Sequence, residues 1–517
     1  MNKKNFYLFI HIASVLTLLI LNEQAHALEK NCYFGMHEVL GCFIKHNDDA
    51  YKYTFISENN SNPDVTIITY ILDSQKWPIT TYENMPTTTW QHKLVIYIPK
   101  KIAHAKALLY ANGEYNRDAK GKSEAEGGNV YYAKNQIDYA AIAINNAAPV
   151  IELQNTLNQC LFFDNKPVRG DQIITYTYKI ALANPLQNAY LAGHLPMIKA
   201  IIKAMDASQE ILTQKYDIDI TGFILSGASK EGLAVRLAAL EDNRVEAIIP
   251  IVADMLNTQK SLQHICEFYG NCPAALNDYK KGGLLDMRNT QAAADLMKIE
   301  DPFMYLSASY ASKYKDRLAI PKHIINASGD NIFVPDSSKL YFDKLPGDSN
   351  YLRYLPNTRH FFALNATSLQ LVNEAINSYF YLILNKTPLP KINWCLYNDK
   401  IELISSTKPK AIKLWFSNNK HKRDFRYFVP SFLQDAVLLA KFHNKCDNCY
   451  LETIIDFACT ENNGQYKIII PLPAFKKGWQ ASFAEVHYNI GNVDFVITTE
   501  VNILPNTAPI ESIEKGL

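Results

Sequence analysis

No long run of lysine or arginine occurs in these 517 residues, and the formal net charge is only +1. The densest basic cluster, Lys420-His421-Lys422-Arg423, is short and reads as a solvated loop. Nucleic acid is therefore not an expected partner. Beyond the N-terminal leader no segment is apolar for long enough to span a bilayer, so no stable membrane anchor is expected after its removal. Internal repeats and low-complexity tracts are absent, which excludes repeat architectures. Cys446-x-x-Cys449 is followed by no second Cys/His pair at ligand spacing. Neither a metal nor another cofactor is therefore expected.

What is present suits a globular protein of two or three domains, because 48% of the residues are hydrophobic and 20% charged. The first residues form a separate unit. Lys3-Lys4 precede an apolar stretch from Phe6 to Leu21, and Ala25-His26-Ala27 follows. A positive start, an apolar middle and an A-x-A end describe a secretory signal peptide over residues 1–27. The expected location is thus exported, periplasmic or secreted. Nine cysteines follow: Cys32, Cys42, Cys160, Cys266, Cys272, Cys395, Cys446, Cys449 and Cys459. In an oxidising compartment they favour disulfides, Cys266 with Cys272 being close enough for a local loop.

Short apolar runs bounded by turn residues read as buried strands over 65–72, 94–98, 107–111, 140–144, 247–252 and 322–327. Helical patterns lie between several of them. Pro196 opens one, with Ile198, Ile201, Ile202 and Met205 along a face. Another begins near Thr367, where Thr367 and Gln370 have capping-box spacing. Alternation of this kind indicates a mostly parallel α/β sheet. Residues 255–310 break the alternation with helical pieces and two cysteines, as a cap inserted between sheet strands would. Lys386 to Pro390 reads as a linker. Beyond it only strand signals remain, predicting a small β-sandwich over 391–507 and a tail over 508–517.

The chemistry centres on Gly227-Ala-Ser-Lys-Glu-Gly232. An apolar run ends there and a helical pattern starts, with Leu233, Leu237 and Leu240 at helix spacing. A serine on a sharp strand-to-helix turn is held clear of its surroundings and can attack a carbonyl. Such a serine needs a base and an acid to orient that base. Asp330 follows the strand over 322–327, and His360 follows a run over 351–355. Ser229, Asp330 and His360 thus occur in the chain order required on a parallel sheet. Asp254 and Asp336 are alternative acids. The oxyanion donors are the Lys230 amide and an amide in Asn112-Gly113-Glu114, which follows an early strand.

The chain resembles the PhoPQ-activated pathogenicity-related family, which includes autocrine proliferation repressor A-like proteins. The resemblance rests on Asp73-Ser-Gln-Lys-Trp77, Thr175-Tyr-Thr-Tyr178, Gly227-Ala-Ser-Lys-Glu-Gly232, Asp254-Met-Leu-Asn257 and Asn326-Ala-Ser-Gly-Asp330. Pro335-Asp-Ser-Ser338, Leu352-Arg-Tyr-Leu-Pro-Asn357 and Arg423-Asp-Phe-Arg426 extend it. It implies an α/β-hydrolase fold over residues 28–385, with the helical cap inserted, followed by the C-terminal β-domain. It implies the Ser229, Asp330 and His360 triad and an association with virulence. Departures place Glu231, Arg359 and Glu114 beside the expected site. The reading is an exported serine hydrolase of esterase or peptidase type acting on a small-molecule or peptide substrate, with His264, Phe268 and Tyr269 lining its pocket. The alternative is a catalytically silent hydrolase fold that binds or signals to a host target.

Overall fold

The computed structural model describes residues 38–506 except 80, 119, 121, 123–125, 130–135, 308–310, 427–447, 458 and 476. The segment over 1–27 expected to be a signal peptide, Cys32, Cys446, Tyr310 and the expected tail over 508–517 lie outside the described residues. Among the described residues no helix is long and apolar enough to cross a membrane.

The first half of the fold is one mixed sheet. Its strands are β1 (Lys52–Asn59), β2 (Val65–Trp77), β3 (Thr88–Pro99), β4 (Lys106–Ala111) and β5 (Val150–Gln154). After a separate hairpin of β6 (Leu161–Phe163) and β7 (Lys166–Val168) come β8 (Gly222–Ala228), β9 (Val245–Ile251), β10 (Lys322–Ala327) and β11 (Asn350–Leu355). The spatial order is β1-β2-β3-β5-β4-β8-β9-β10-β11. The first four of these pair antiparallel, and from β5 onward every pairing through β11 is parallel. Strands β8 and β10 are buried along their whole length except at Ala228, with Ser226, Lys322, His323 and Asn326 buried among their apolar residues.

One expected strand is a helix. The run over 140–144 forms part of helix Tyr139–Asn146, and the strand comes after it, as β5. Asp138 caps this helix by accepting from the Ala141 amide at 3.0 Å. The buried residues Tyr139, Ile142, Ala143 and Asn146 repeat at helical spacing. The helix expected near Thr367 spans Ala366–Leu384, but the Thr367–Gln370 spacing is not its cap. Its cap is Asn365, which accepts from the Ser368 amide at 3.0 Å, while Gln370 bonds Glu374.

The C-terminal strands are β12 (Ile392–Leu396), β13 (Lys400–Ser405), β14 (Ala411–Asn419), β15 (Leu451–Ile454), β16 (Cys459–Asn462), β17 (Gln465–Pro471), β18 (Trp479–Ile490), β19 (Val493–Thr498) and β20 (Asn502–Leu504). β12, β13, β17 and β16 make a sheet of their own. Its Ile401, Leu403, Ile468 and Ile470 share one core cluster with Ile412, Leu414, Ala484 and Val486 of β14 and β18. That is sandwich packing. The second layer is not separate, because β19 pairs antiparallel with β11 and carries the central sheet on into β18, β14 and β15. Tyr354 on β11 also donates its amide to Thr498 Oγ1 at 2.9 Å. The edge of the parallel sheet is thereby covered.

Between β9 and β10 the chain leaves the sheet for a helical insertion that includes Thr258–Phe268, Asn277–Lys281, Leu284–Met287, Gln291–Glu300 and Ala311–Leu318. Cys266 and Cys272 form a disulfide within it. Cys42 is also disulfide-bonded. The insertion is clasped to the sheet domain through Asp336, which is 2% exposed. His264 Nε2 lies 2.7 Å and Lys339 Nζ 2.6 Å from its carboxylate, and Arg423 is 3.5 Å away. The Arg423 guanidinium sits 4.2 Å from the Phe268 ring centre, and that of Arg426 4.1 Å from Tyr269. Burial alone would raise the Asp336 pKa, but the His264 hydrogen bond and the charges of His264, Lys339 and Arg423 outweigh it and hold it at about 2. Its stabilising contribution is therefore complete above the ordinary carboxylate value and is lost as pH falls toward 2. Asp336→Asn, which strands buried cations, is expected to cost roughly 3 kcal/mol in urea unfolding at neutral pH. The gap to wild type should narrow between pH 3.8 and 2; a pH-independent gap would show that the clasp is not ionic.

Candidate active site

Ser229 joins β8 to helix Lys230–Glu241 with φ 57° and ψ −122°, a conformation that costs a non-glycine residue energy. The surroundings hold it there. Its amide donates to the Ile251 carbonyl at 2.8 Å, and its carbonyl accepts from the Leu233 amide at 3.1 Å. Two glycines let the turn close. A Cβ on Gly227 would lie 3.0 Å from the Glu231 backbone. One on Gly232 would lie 2.8 Å from Ala253 Cβ and 2.9 Å from the Gly227 carbonyl oxygen. The second glycine of the motif is thus where the helix meets the end of β9.

Three loops at the same ends of parallel strands meet here. His360 Nε2 lies 2.9 Å from Ser229 Oγ, and His360 Nδ1 lies 2.9 Å from Asp330 Oδ2. The partners imply the tautomer with the proton on Nδ1, donated to the aspartate, leaving Nε2 to accept from the serine. Asp330 Oδ1 accepts from the Ile332 and Phe333 amides at 2.7 and 3.1 Å, so the carboxylate cannot rotate freely. Asp330 and His360 are both buried.

The alternative acids are engaged elsewhere. Asp336 belongs to the clasp. Asp254 accepts from Tyr341 at 2.5 Å and from Tyr354 at 2.6 Å. Burial, only partly offset by these hydrogen bonds, pushes its pKa up to about 7. His264, Phe268 and Tyr269, expected in the pocket lining, are drawn into the clasp instead, because buried Asp336 and the two arginines offer them stronger partners than an open cleft.

The Lys230 amide opens its helix, so no residue four positions back can accept from it, and it lies beside Ser229. In the facing loop, Asn112 Oδ1 accepts from the Gly113 amide at 2.9 Å, and Asn112 Nδ2 donates to Glu152 at 2.8 Å. Gln159 Nε2 donates to the Gly113 and Glu114 carbonyls at 3.1 and 3.0 Å, which ties both oxygens to one side chain. The charges flagged beside this loop are structural. Glu114 is buried and accepts from Gln136 at 2.8 Å. Glu231 is buried against Gly113, where an added Cβ would come within 2.9 Å of Glu231 Oε1. Burial raises the Glu231 pKa, with the Lys230 charge opposing. Arg359 is half-buried.

Ser229 also forms part of the wall of a cavity of about 120 Å³. Leu233, Leu276, Leu284, Leu285, Leu296 and Met297 contribute its apolar surface. Lys230 in the same wall pairs with Asp171 at 3.2 Å. Glu300 accepts from Tyr178 at 3.0 Å and lies 2.8 Å from His194 Nδ1. No motif marked Gln159, His194 or Glu300 in the sequence. Tyr178 and Asp171 were visible in or near a family stretch but carried no assigned role. Gly232→Ala is expected to cost about 1–3 kcal/mol in urea unfolding, because the added methyl has nowhere to go; unchanged stability would mean that the helix is not pressed on β9.

Comparison with known proteins finds relatives in sequence and in structure. Autocrine proliferation repressor protein A of Dictyostelium discoideum is 28% identical over 493 residues, covering 91% of this chain and 91% of that protein. Among solved structures, an acetyl xylan esterase from Paenibacillus sp. R4 covers 66% of this chain and 92% of its own, at 11% identity and TM-score 0.43. Acylaminoacyl peptidase from Pyrococcus horikoshii covers 65% of this chain and 50% of its own, at 11% identity and TM-score 0.37. The chain itself forms a mostly parallel sheet flanked by helices, with additional C-terminal strands. The family model for PhoPQ-activated pathogenicity-related protein matches residues 40–426, from the first described helix through the clasp arginines, and the chain therefore belongs to that family.

Proposed function

We propose that this protein is an exported serine hydrolase that cleaves an ester or peptide bond by acyl transfer through Ser229, His360 and Asp330. The observation that carries the reading is the hydrogen-bonded chain from Ser229 Oγ through His360 to Asp330, each link 2.9 Å. Ser229 Oγ attacks the carbonyl carbon while its proton passes to His360 Nε2. Asp330 keeps the imidazole oriented and stabilises its cation. The Lys230 amide and helix start stabilise the oxyanion. The leaving alcohol or amine departs with the proton from His360. Water, deprotonated in turn by His360, then releases the acid and restores the serine.

Export is supported by the leader pattern and by the Cys266–Cys272 disulfide, which suits an oxidising compartment. A link to virulence rests on the family's description. A fluorophosphonate probe is expected to label the mature protein on Ser229 and to leave Ser229→Ala unlabelled. Asp330→Asn is expected to slow turnover of a p-nitrophenyl ester by roughly 10⁴-fold while the protein stays folded. Equal labelling of wild type and Ser229→Ala would sink the mechanism and leave the fold as a binding module.

A further inference from the structure

The cavity beside Ser229 has a size and a lining that restrict what the nucleophile can meet. An apolar cavity of about 150 Å³ accommodates benzene, and this one measures about 120 Å³. Its volume therefore suits a group of about six heavy atoms. Half of the residues in its wall are leucine, methionine or alanine, most of them from the cap. Each charged residue in the wall already has a protein partner. Asp171 faces Lys230 at 3.2 Å, Glu300 is held by Tyr178 and His194, and Arg288 donates to the Leu285 carbonyl. Glu300 Oε1 and Arg288 Nε make no hydrogen bond of their own, but a charged substituent entering here would still lose its hydration against a wall that is half leucine, methionine and alanine, whereas an apolar one would lose only water.

We propose that this cavity binds the acyl part of the substrate, that it takes an uncharged apolar acyl group of about six heavy atoms, and that Leu284, Leu285, Leu296 and Met297 set the limit. The inference rests on the serine hydrolase reading and narrows it to a substrate class. The position of Leu233, one turn beyond Ser229 and also in the wall, places the start of the cavity at the nucleophile. The cap therefore acts as a size filter. Its four limiting residues come from two short helices, Leu284–Met287 and Gln291–Glu300, rather than from the sheet that carries the triad.

The test is a series of p-nitrophenyl esters from acetate to dodecanoate. kcat/KM should rise about fourfold for each added methylene up to about the hexanoate, since each buried methylene contributes about that factor. It should then fall at least tenfold by the decanoate. Leu296→Ala and Met297→Ala should move the optimum to longer chains, and Ala275→Phe, at a half-exposed position in the wall, should move it to shorter ones. The opposed shifts guard against a variant that merely folds poorly. A second readout is independent of turnover: hexanamide should raise the melting temperature of Ser229→Ala, and decanamide at equal concentration should not. Esters hydrolysed with no chain-length cut-off would overturn the pocket and leave the hydrolase reading standing. Selective stabilisation by hexanamide without hydrolysis of any ester would uphold the pocket and overturn the hydrolase reading. An optimum unmoved by both enlarging and filling substitutions would overturn the pocket.

Discussion

The turn between β8 and helix Lys230–Glu241 is the constraint on which the site depends. It holds a serine at positive φ only because its amide is tied to β9 and because Gly227 and Gly232 leave no side chain between helix and sheet. A strained residue persists where its neighbours over-determine it. Here the same contacts that impose the strain aim Ser229 Oγ at His360 and bring the Lys230 amide beside it. Packing, backbone conformation and the candidate chemistry are one arrangement.

Charge around this turn is handled by burial and pairing. Glu231 and Glu114, which in the sequence look like intruders beside a nucleophile, are buried as props for the Asn112–Glu114 loop. Asp254 lies under the site between two tyrosine hydroxyls, and Asp336 is spent on the cap. Of Asp254, Asp330 and Asp336, only Asp330 reaches His360. The others are set apart by what surrounds them, since carboxylates of the same type take different roles when burial and partners differ.

The C-terminal strands are more than an appendage. Through β19 they cover the β11 edge, and β11 leads straight into the His360 loop. Arg423 and Arg426, from the end of the family match, hold the cap residues Phe268 and Tyr269. Tyr269 in turn donates toward the Asp330 carbonyl at 3.5 Å. The region beyond the linker therefore supports both the His360 loop and the cap, and the family match runs past residue 385 into it.

The sequence by itself determined the local features whose physics is short-ranged. Short, mainly apolar runs marked β4, β8 and β10, glycine spacing marked the elbow, and chain order placed candidate acids between Ser229 and His360. Misreadings came where a short run was ambiguous between periods, as over 140–144, where a helix cap upstream decided the outcome. The tertiary structure alone decided which acid faces His360, that the cap histidine and aromatics serve a clasp, that Gln159 braces the loop, and that the sheet continues into the C-terminal strands. These outcomes depend on contacts between residues tens to hundreds of positions apart. Spacing along one chain carries no signal for such contacts, because burial and partner choice exist only once the layers have packed.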